Sequence, residues 1–524
     1  MQKHNMRTEK KSSIKNSATR LVLIALLVLI QTGWMVFLML KLNAYSTAIT
    51  LTLTFIAVFI ALKIFGTHVN SAQRMPWLIV ITAVPFFGIC IYLLFGRSIV
   101  TKGMRRRFNG IESDILVNKL SQDETVIDEI AAKDKGIANQ CRYISHTARY
   151  PVYKNTDVEY YAEADISFAA QIEELKKAEH FIFMEYHAIE DALSFERLKK
   201  VLIEKAQSGV EVRIFYDDLG SIFFLNKEFI KRMREQGIQC RVFNPLKVVV
   251  NMFMNNRDHR KITVIDGRVG FTGGYNLADE YFNITHPYGY WKDTGIKLTG
   301  DAVRSLTASF LTMWNAIDHT DSQADYDKYL DAADNTYKAV DSECYVQPYS
   351  DNPLGQDRIG EDVYLNILKN AKDYVYITTP YLIITDEMER ELRLAVKRGV
   401  DVRIVTPGIP DKKMVYKITR SYYEPLCSAG VRIYEYTPGF CHAKQWVSDD
   451  EVSVVGTINM DFRSLYLHFE NAVFTYNKGL AAKVKKDMLN NFDEGREVTK
   501  DYAKDVIRPL KLGTCILRMI SPLL

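Results

Sequence analysis

The stretch HRKITVIDGRVGFTGGYN, residues 259–276, decides the fold, because HAKQWVSDDEVSVVGTIN at residues 442–459 repeats its spacing. Counted from its histidine, each copy places lysine at +2, aspartate at +7, glycine at +14 and asparagine at +17. A single match of this kind arises readily by chance, but two matches in register within one chain do not. The repeat therefore predicts two related halves that build one site together.

Strand geometry explains the spacing within each copy. Residues two apart on a strand point to the same face, so His259 and Lys261 are expected to share a face. The apolar residues that follow indicate a buried strand, and Asp266-Gly267 is a turn signal. A second apolar strand then returns Asn276 toward the histidine. The second copy predicts the same arrangement for His442, Lys444, Asp449 and Asn459.

The surroundings of the two copies also match. Ser208–Ile214 and Arg398–Ile404 each come after an amphipathic helix, and each consists of a glycine followed by an apolar strand. Helices and strands that alternate in this way are typical of an α/β fold. We expect a basic tail at 1–20, a transmembrane region at 21–96, a basic linker at 97–142, a first half at 143–317, an acidic linker at 318–342, a second half at 343–500 and an amphipathic tail at 501–524. The last segment mixes apolar and basic residues, which favours contact with a membrane surface over docking on the body.

Three apolar runs without charges lie near the start of the chain, at about 21–40, 44–62 and 77–95. Each approaches the roughly 20 residues that a helix needs to cross a bilayer. The sequence therefore predicts a multi-pass protein of the cell membrane. Pro85 and Gly88 interrupt the third run and leave open whether it crosses fully or re-enters. Basic residues on both sides of the runs leave the orientation open as well.

Charge and cysteine content exclude several classes of site. With 67 basic and 63 acidic residues the formal net charge is only +4, which does not favour nucleic acid as a partner. The seven cysteines are scattered and lack the spacing of a zinc or redox site. Lysines stand where a two-metal site would place carboxylates, so we expect no metal and no cofactor.

The duplicated pattern H-x-K-x4-D-x6-G-x2-N resembles that of the phospholipase D superfamily. The apolar runs, the stretch from Trp77 to Arg97 and the ending Ser521-Pro522-Leu523-Leu524 are similar to those of bacterial cardiolipin synthases. The resemblance covers nearly everything from about Met75 onward. It implies an α/β fold in which N-terminal transmembrane helices precede two duplicated phospholipase D-like α/β/α halves that form one catalytic body.

The resemblance also implies roles for the repeated residues. One histidine attacks phosphorus to form a phosphohistidine, and the other protonates the departing glycerol oxygen. The N-terminal histidine usually has the first role in the superfamily, which favours His259 over His442, although the residues alone do not decide. The candidate catalytic residues are His259, Lys261, Asp266, His442, Lys444 and Asp449, and the candidate phosphate ligands are Lys261, Asn276, Lys444 and Asn459.

Two further carboxylates are expected to hold the histidine rings. Glu470 and Asp293 follow the motifs at positions similar to the superfamily's supporting acid, where they would orient each imidazole. Asp266 and Asp449 stand beside turns, which suggests support more than chemistry. The turn Gly273-Gly274 of the first copy lacks the hydroxyl that Gly456-Thr457 carries in the second, so the two halves are not equivalent.

The implied reaction is phosphatidyl transfer between two phosphatidylglycerol molecules, giving cardiolipin and glycerol. Phosphatidylglycerol, cardiolipin and other membrane lipids are then the expected partners, and the sequence does not indicate an oligomeric state. A membrane phospholipase D-type hydrolase or another phosphatidyltransferase carries the same motifs and stays an alternative. A non-catalytic lipid-binding scaffold is a second alternative, which the two intact motif copies disfavour.

Overall fold

The computed structural model describes residues 26, 29–34, 36–37, 46–67, 70–93, 102–225, 227–245, 256–318, 326–331, 337–506 and 509–523. Two mixed β-sheets, one in each half of the chain, organise these residues. Their motif strands are buried apart from the half-buried Val269, as their apolar runs predict. The prediction of two duplicated α/β halves is confirmed.

The N-terminal region contains helices α1 (Ser46–Phe65), α2 (Ser71–Ala83) and α3 (Pro85–Ile91). The third predicted apolar run is split at Val84, because Pro85 has no backbone N–H to continue the preceding helix. The first run, 21–40, lies largely outside the described residues. No helix among the residues that the structure describes combines the length and apolarity needed to cross a membrane. The three spans therefore stay a prediction.

The stretch 97–142, expected as a linker, is largely helical from residue 102 onward. It contains α4 (Lys102–Asn118), α5 (Glu124–Lys133) and most of α6 (Lys135–Tyr143), which a π-helical turn (Ile144–Ala148) follows. Ile115, Ile127 and Ile130 are fully buried in the main hydrophobic core. Apolar residues at helical spacing beneath the basic ones explain the difference, since they bury one face of each helix.

The first half is built on seven strands. They are β1 (Thr156–Tyr161), β2 (Phe181–Tyr186), β3 (Glu211–Asp217), β4 (Gln239–Phe243), β6 (Lys261–Ile265), β7 (Val269–Gly273) and β9 (Gly295–Gly300), with the short β5 (Arg257–Asp258) and β8 (Tyr290–Lys292) outside the sheet. The sheet order is β1-β9-β7-β6-β2-β3-β4. The helices are α7 (Ala164–Leu175), α8 (Leu193–Gln207), α9 (Lys227–Glu235) and α10 (Val303–Ile317), with a 3-10 turn at Asp279–Phe282.

The second half repeats this plan after α11 (Tyr326–Leu330), which is the helix within the described part of the expected acidic linker. Its strands are β10 (Tyr345–Asp351), β11 (Tyr374–Thr378), β12 (Asp401–Pro407), β13 (Arg432–Tyr436), β14 (Gly439–Cys441), β15 (Gln445–Ser448), β16 (Val452–Gly456), β17 (His468–Tyr476) and β18 (Gly495–Glu497). Its helices are α12 (Ile359–Asn370), α13 (Asp386–Lys397), α14 (Lys413–Ser421), α15 (Tyr423–Ala429), α16 (Phe462–Tyr466), α17 (Lys478–Glu494) and α18 (Thr499–Tyr502). The sheet order is β10-β17-β16-β15-β11-β12-β13-β18.

Two short strand pairs join the halves. β5 of the first half pairs in parallel with β17 of the second, with Arg257 opposite His468. β14 of the second half pairs in parallel with β8 of the first, with Phe440 opposite Trp291. Both pairs end where a motif histidine begins, so each half supplies backbone to the other half's histidine.

The C-terminal segment docks on the body, whereas the sequence favoured contact with a membrane surface over such docking. In α19 (Leu512–Ile520), the Arg518 Cζ atom lies 3.8 Å from the ring centroid of Tyr422. Ser521, in the 3-10 turn Ser521–Leu523, is buried. Leu512 is 79% exposed on the same helix. The tail is therefore amphipathic, with one side packed against the second half.

Candidate active site

The two strand pairs that join the halves fix the backbone position of both motif histidines. The His259 N–H donates to the Phe469 carbonyl at 2.9 Å, and the His442 N–H donates to the Lys292 carbonyl at 2.7 Å. The residue that follows each accepting carbonyl group carries a carboxylate: Glu470 follows Phe469, and Asp293 follows Lys292. Each motif histidine therefore lies next to a carboxylate from the opposite half.

The carboxylates bind the histidine rings directly. His259 Nδ1 lies 2.9 Å from Glu470 Oε2, and His442 Nδ1 lies 2.6 Å from Asp293 Oδ2. Both carboxylates are fully buried. Because a carboxylate accepts, the proton of each neutral ring lies on Nδ1 and the lone pair on Nε2. Both rings are thus oriented with Nε2 as the atom able to attack or to accept a proton.

A single cavity of about 610 Å³ is lined by both histidines. The motif asparagines line it as well, whereas the motif lysines and aspartates do not. Aromatic rings surround His442, with the ring centroids of Trp291, Tyr281 and Phe440 at 5.2, 5.4 and 5.7 Å. The sequence motif therefore assembles around one chamber shared by both halves.

Burial keeps both imidazoles neutral near pH 7. It lowers the pKa of His442 to about 3, and the Lys444 charge acts in the same direction against Asp293. Burial also holds the pKa of His259 well below its usual range, and the Lys261 charge adds to this. Burial raises the pKa of Asp293, but His442 and Lys444 outweigh it and keep that pKa below its usual value. A neutral ring carries the lone pair that a nucleophile needs.

The motif lysines are buried beside the histidines. Lys261 Nζ donates to the His259 carbonyl at 2.5 Å, and Lys444 Nζ lies 2.8 Å from His442 Nδ1. Burial lowers the pKa of Lys261 to about 7 and that of Lys444 to about 8. Near pH 7, Lys261 is therefore only partly charged and Lys444 mostly charged, and a nearby anion would raise the pKa of both.

The two asparagines differ in their contacts. Asn276 Oδ1 accepts from the Ala188 N–H at 3.1 Å, and its Nδ2 donates to the Tyr281 hydroxyl at 2.8 Å. Asn459 is 5% exposed, and its Oδ1 has no hydrogen-bond partner among the described residues. Asn276 is thus held by the protein itself, while Asn459 retains an unused acceptor at the cavity.

The motif aspartates do not line the cavity, which agrees with a supporting role, and their place among the catalytic residues stays a prediction. Asp266 accepts from three backbone N–H groups at 2.7–2.8 Å, those of residues 179, 180 and 181. Asp449 does the same at 2.9 Å with residues 372, 373 and 374. Both residues have positive φ at a strand end. Each one ties a motif hairpin to the neighbouring strand start, which is a structural role.

The turn asymmetry has a steric cause. A Cβ atom at Gly274 would lie 2.0 Å from Asp293 Oδ1, so this turn admits only glycine. In the second copy Thr457 takes that place, and its hydroxyl donates to Glu470 Oε2. The shorter aspartate therefore accompanies glycine, and the longer glutamate accompanies a threonine that holds its oxygen.

Comparison with known proteins shows which family the chain belongs to. The family described as "Cardiolipin synthase, PLD-like domain" matches residues 171–314 and 364–492, and "Phospholipase D-nuclease N-terminal" matches residues 52–97. A cardiolipin synthase of Geobacillus thermodenitrificans is 34% identical over 92% of this chain and 94% of its own length. The chain belongs to the cardiolipin synthase family. As a family member it is an enzyme, a phosphatidyltransferase.

Two further matches are a bacterial relative and a solved structure. An uncharacterized protein of Streptococcus mutans is 39% identical over 88% of this chain and 99% of its own length. The crystal structure of phosphatidylserine synthase from Haemophilus influenzae aligns with a TM-score of 0.54 at 15% identity, over 70% of this chain and 94% of that one. At that identity the structural match shows the shared fold alone.

Sequence reasoning missed two histidines that flank His259. The ring centroids of His187 and His468 lie 5.0 and 5.5 Å from that of His259, and both residues line the cavity. His187 Nδ1 donates to the Asp258 carbonyl at 2.7 Å, and burial lowers its pKa to about 4. His468 stands two residues before Glu470 on one strand, a spacing that could have indicated it. His187 carries no such signal.

The ligand atoms of His259, His468 and Glu470 lie within 4.8 Å of one another, a spacing that a metal ion could bridge. His259 Nδ1 and Glu470 Oε2 of this cluster are hydrogen bonded to each other at 2.9 Å. The structure therefore accounts for this cluster as a histidine-orienting group.

Proposed function

We propose that the protein transfers a phosphatidyl group between two phosphatidylglycerol molecules and releases cardiolipin and glycerol. The observation that supports this most is the pair of carboxylate-oriented histidines, His259 and His442, on one cavity. Family membership supports the same reaction, because several relatives are cardiolipin synthases.

The chemistry proceeds in two balanced steps. The negative charge of the arriving phosphate raises the pKa of the other histidine, which takes up a proton on Nε2. Nε2 of the first histidine then attacks phosphorus, the bond from phosphorus to the head-group glycerol oxygen breaks, and the protonated ring gives that oxygen its proton. A glycerol hydroxyl of the second lipid then passes its proton to the same ring as its oxygen attacks phosphorus and the phosphorus–nitrogen bond breaks. Following the superfamily pattern, we assign the attack to His259 and the proton transfer to His442.

The buried cations and amides serve the transferring phosphate. Lys261 and Lys444 lie next to the attacking rings, and an arriving phosphate would hold them protonated. Asn459 offers a side-chain amide at the cavity. Charge neutralisation of this kind makes a phosphodiester open to attack in a site that excludes water.

Membrane residence is part of the proposal. The predicted spans at 21–40, 44–62 and 77–95 would hold the catalytic body at a bilayer, where a second lipid is concentrated. Helix α1 supports this, because Leu51, Phe55, Phe59 and Leu62 are each at least 64% exposed on it. Side chains of this size at such exposure mark an apolar contact surface.

Purified protein in bilayers of head-group-labelled phosphatidylglycerol tests the proposal. Release of labelled glycerol together with cardiolipin is the expected result. Labelled glycerol with phosphatidic acid alone would identify a hydrolase instead. Lipid binding without any glycerol release would identify a scaffold, and variants His259→Ala and His442→Ala control for contaminating activity.

A further inference from the structure

The two ends of the catalytic cavity carry opposite chemistry at equivalent positions of the repeat. Two residues before the motif histidine, the first half has Arg257 and the second has Phe440. Four residues after the motif asparagine, the first half has Glu280 and the second has Arg463. All four side chains line the cavity. The end near His442 is therefore aromatic and carries Glu280 and Asp411, with Lys412 Nζ 3.9 Å from Asp411 Oδ2. The end near His259 carries Arg257, which is paired with Asp217, and Arg463, which lines the cavity together with Asp461.

Two carboxylates form the acidic end. Glu280 and Asp411 both line the cavity, and Asp411 Oδ2 accepts from the Tyr381 hydroxyl at 2.6 Å. Burial, together with the charges of Glu190 and Asp411, raises the pKa of Glu280 to about 7. The Glu280–Asp411 pair thus carries strong acceptors close to the aromatic rings around His442.

An unused donor lies at the same end. Trp291 is 5% exposed and lines the cavity, and its Nε1–H has no hydrogen-bond partner among the described residues. Its ring centroid is 4.9 Å from that of Phe440 and 4.4 Å from that of Tyr281. The Nε1 atom is itself shielded from solvent, so a ligand hydroxyl reaches it after a small shift of the surrounding rings. Such a contact would restore the free energy that a buried donor loses without a partner.

The chemistry of these groups selects among head groups. The indole N–H needs an acceptor, and the carboxylates need donors. A hydroxyl group supplies both, whereas an ammonium group supplies donors only, and a carboxylate or second phosphate would be repelled. A polyol therefore satisfies Trp291 and the Glu280–Asp411 pair at the same time.

We propose that Glu280, Asp411 and Trp291 form a head-group subsite that binds the hydroxyls of glycerol. This inference rests on the proposed function and adds that the site selects glycerol as the head group. The departing glycerol and the glycerol of the incoming lipid occupy the same side of phosphorus, because the second step reverses the first. One subsite beside His442 therefore serves both, next to the ring that moves the proton.

Competition between alcohols tests the subsite. The full chain in phosphatidylglycerol bilayers receives deuterated glycerol, ethanol and ethanolamine together, and mass spectrometry measures the exchanged lipids. Competing acceptors share one phosphoenzyme, so their ratio cancels effects on the donor step. The variants Glu280→Gln and Asp411→Asn keep side-chain size, and Trp291→Phe keeps an aromatic ring but removes the N–H. The control is the exposed carboxylate variant Asp505→Asn.

We expect wild type and Asp505→Asn to prefer glycerol over both other alcohols. Each cavity variant should lower the glycerol-to-ethanol ratio of kcat/KM by about tenfold, the effect of losing one hydrogen bond to a charged or buried group. An unchanged ratio in all three variants overturns the subsite, and a wild-type preference for ethanolamine makes it an amine site instead. Wild type that transfers to no alcohol contradicts the proposed function, which is a separate outcome.

Discussion

Asp293 Oδ2 lies 2.6 Å from His442 Nδ1, although the two residues belong to different halves of the chain. The reciprocal pair, Glu470 and His259, crosses in the other direction at 2.9 Å. Neither half can therefore form a complete histidine–carboxylate pair alone. The duplication is a functional unit only when β5 pairs with β17 and β8 pairs with β14.

The crossed carboxylates should control turnover without building the cavity. Asp293→Asn keeps the shape but reverses the hydrogen bond to His442, which disfavours the tautomer that presents a lone pair on Nε2. We expect kcat to fall about 100-fold to 10,000-fold, the range seen when the acid of a histidine pair is replaced. Steady-state kinetics with a thermal melt measures this, and a loss of fold with the loss of activity would contradict it.

The motif aspartates should behave in the opposite way. Asp266→Asn removes a charged acceptor from three backbone N–H groups outside the cavity. We expect a loss of about 2 kcal/mol in the free energy of unfolding and a lower Tm, with kcat per folded molecule retained. Asp449→Asn is the matched variant in the second half. A large fall in kcat without a change in Tm would show that these aspartates take part in catalysis.

Activity should decline on the alkaline side as the lysines lose charge. An amine is charged below its pKa, and the pKa values of Lys261 and Lys444 are about 7 and 8. The kcat/KM value, which reports the free enzyme, should therefore fall as pH rises through that interval. Arginine keeps its charge throughout, so Lys261→Arg should shift the decline to higher pH in any variant that remains active. An identical alkaline limb in that variant would show that another group causes it.

The turn asymmetry predicts unequal effects of exchanging the two residues. Gly274→Thr would bring a Cβ atom to 2.0 Å from Asp293 Oδ1 and should displace that carboxylate from His442. Thr457→Gly removes one donor to Glu470 and leaves its pair with His259 in place. We expect the first change to abolish turnover and the second to lower kcat by about tenfold. Equal effects on kcat would contradict this account of the asymmetry.

Much of the site follows from the repeated spacing. The repeated motif identifies His259 and Asn276, which line the cavity together with their counterparts in the second half. The shared strand face expected for His259 and Lys261 is not formed, because β6 begins at Lys261 and only the histidine lines the cavity. The crossing of Asp293 and Glu470 cannot be found from the chain alone, because it depends on strand pairs between residues far apart in sequence. Trp291, Glu280 and His187 were missed because a lone aromatic, acid or histidine has no periodicity.

The expected linker and the C-terminal tail also depend on tertiary contacts that the sequence pattern does not identify. Basic residues before and within α4 predict a linker. Ile115 of α4 and Ile127 of α5 nevertheless lie in the hydrophobic core, so each helix packs one face against the body. The tail's amphipathic pattern was read correctly, yet the pattern does not say what covers the packed face. Arg518 stacks on Tyr422 of the second half, and only the tertiary structure shows that partner.

The most direct test of the central claim is chemical trapping of the intermediate. Protein in bilayers is mixed with phosphatidylglycerol that carries radioactive phosphorus, quenched within one turnover and examined for protein-bound label. The account predicts label that is stable to base and labile to acid, as a phosphohistidine is, located on the peptide that contains His259 and absent from His259→Ala. Cardiolipin formation without any protein-bound label, or with label retained in His259→Ala, would contradict it.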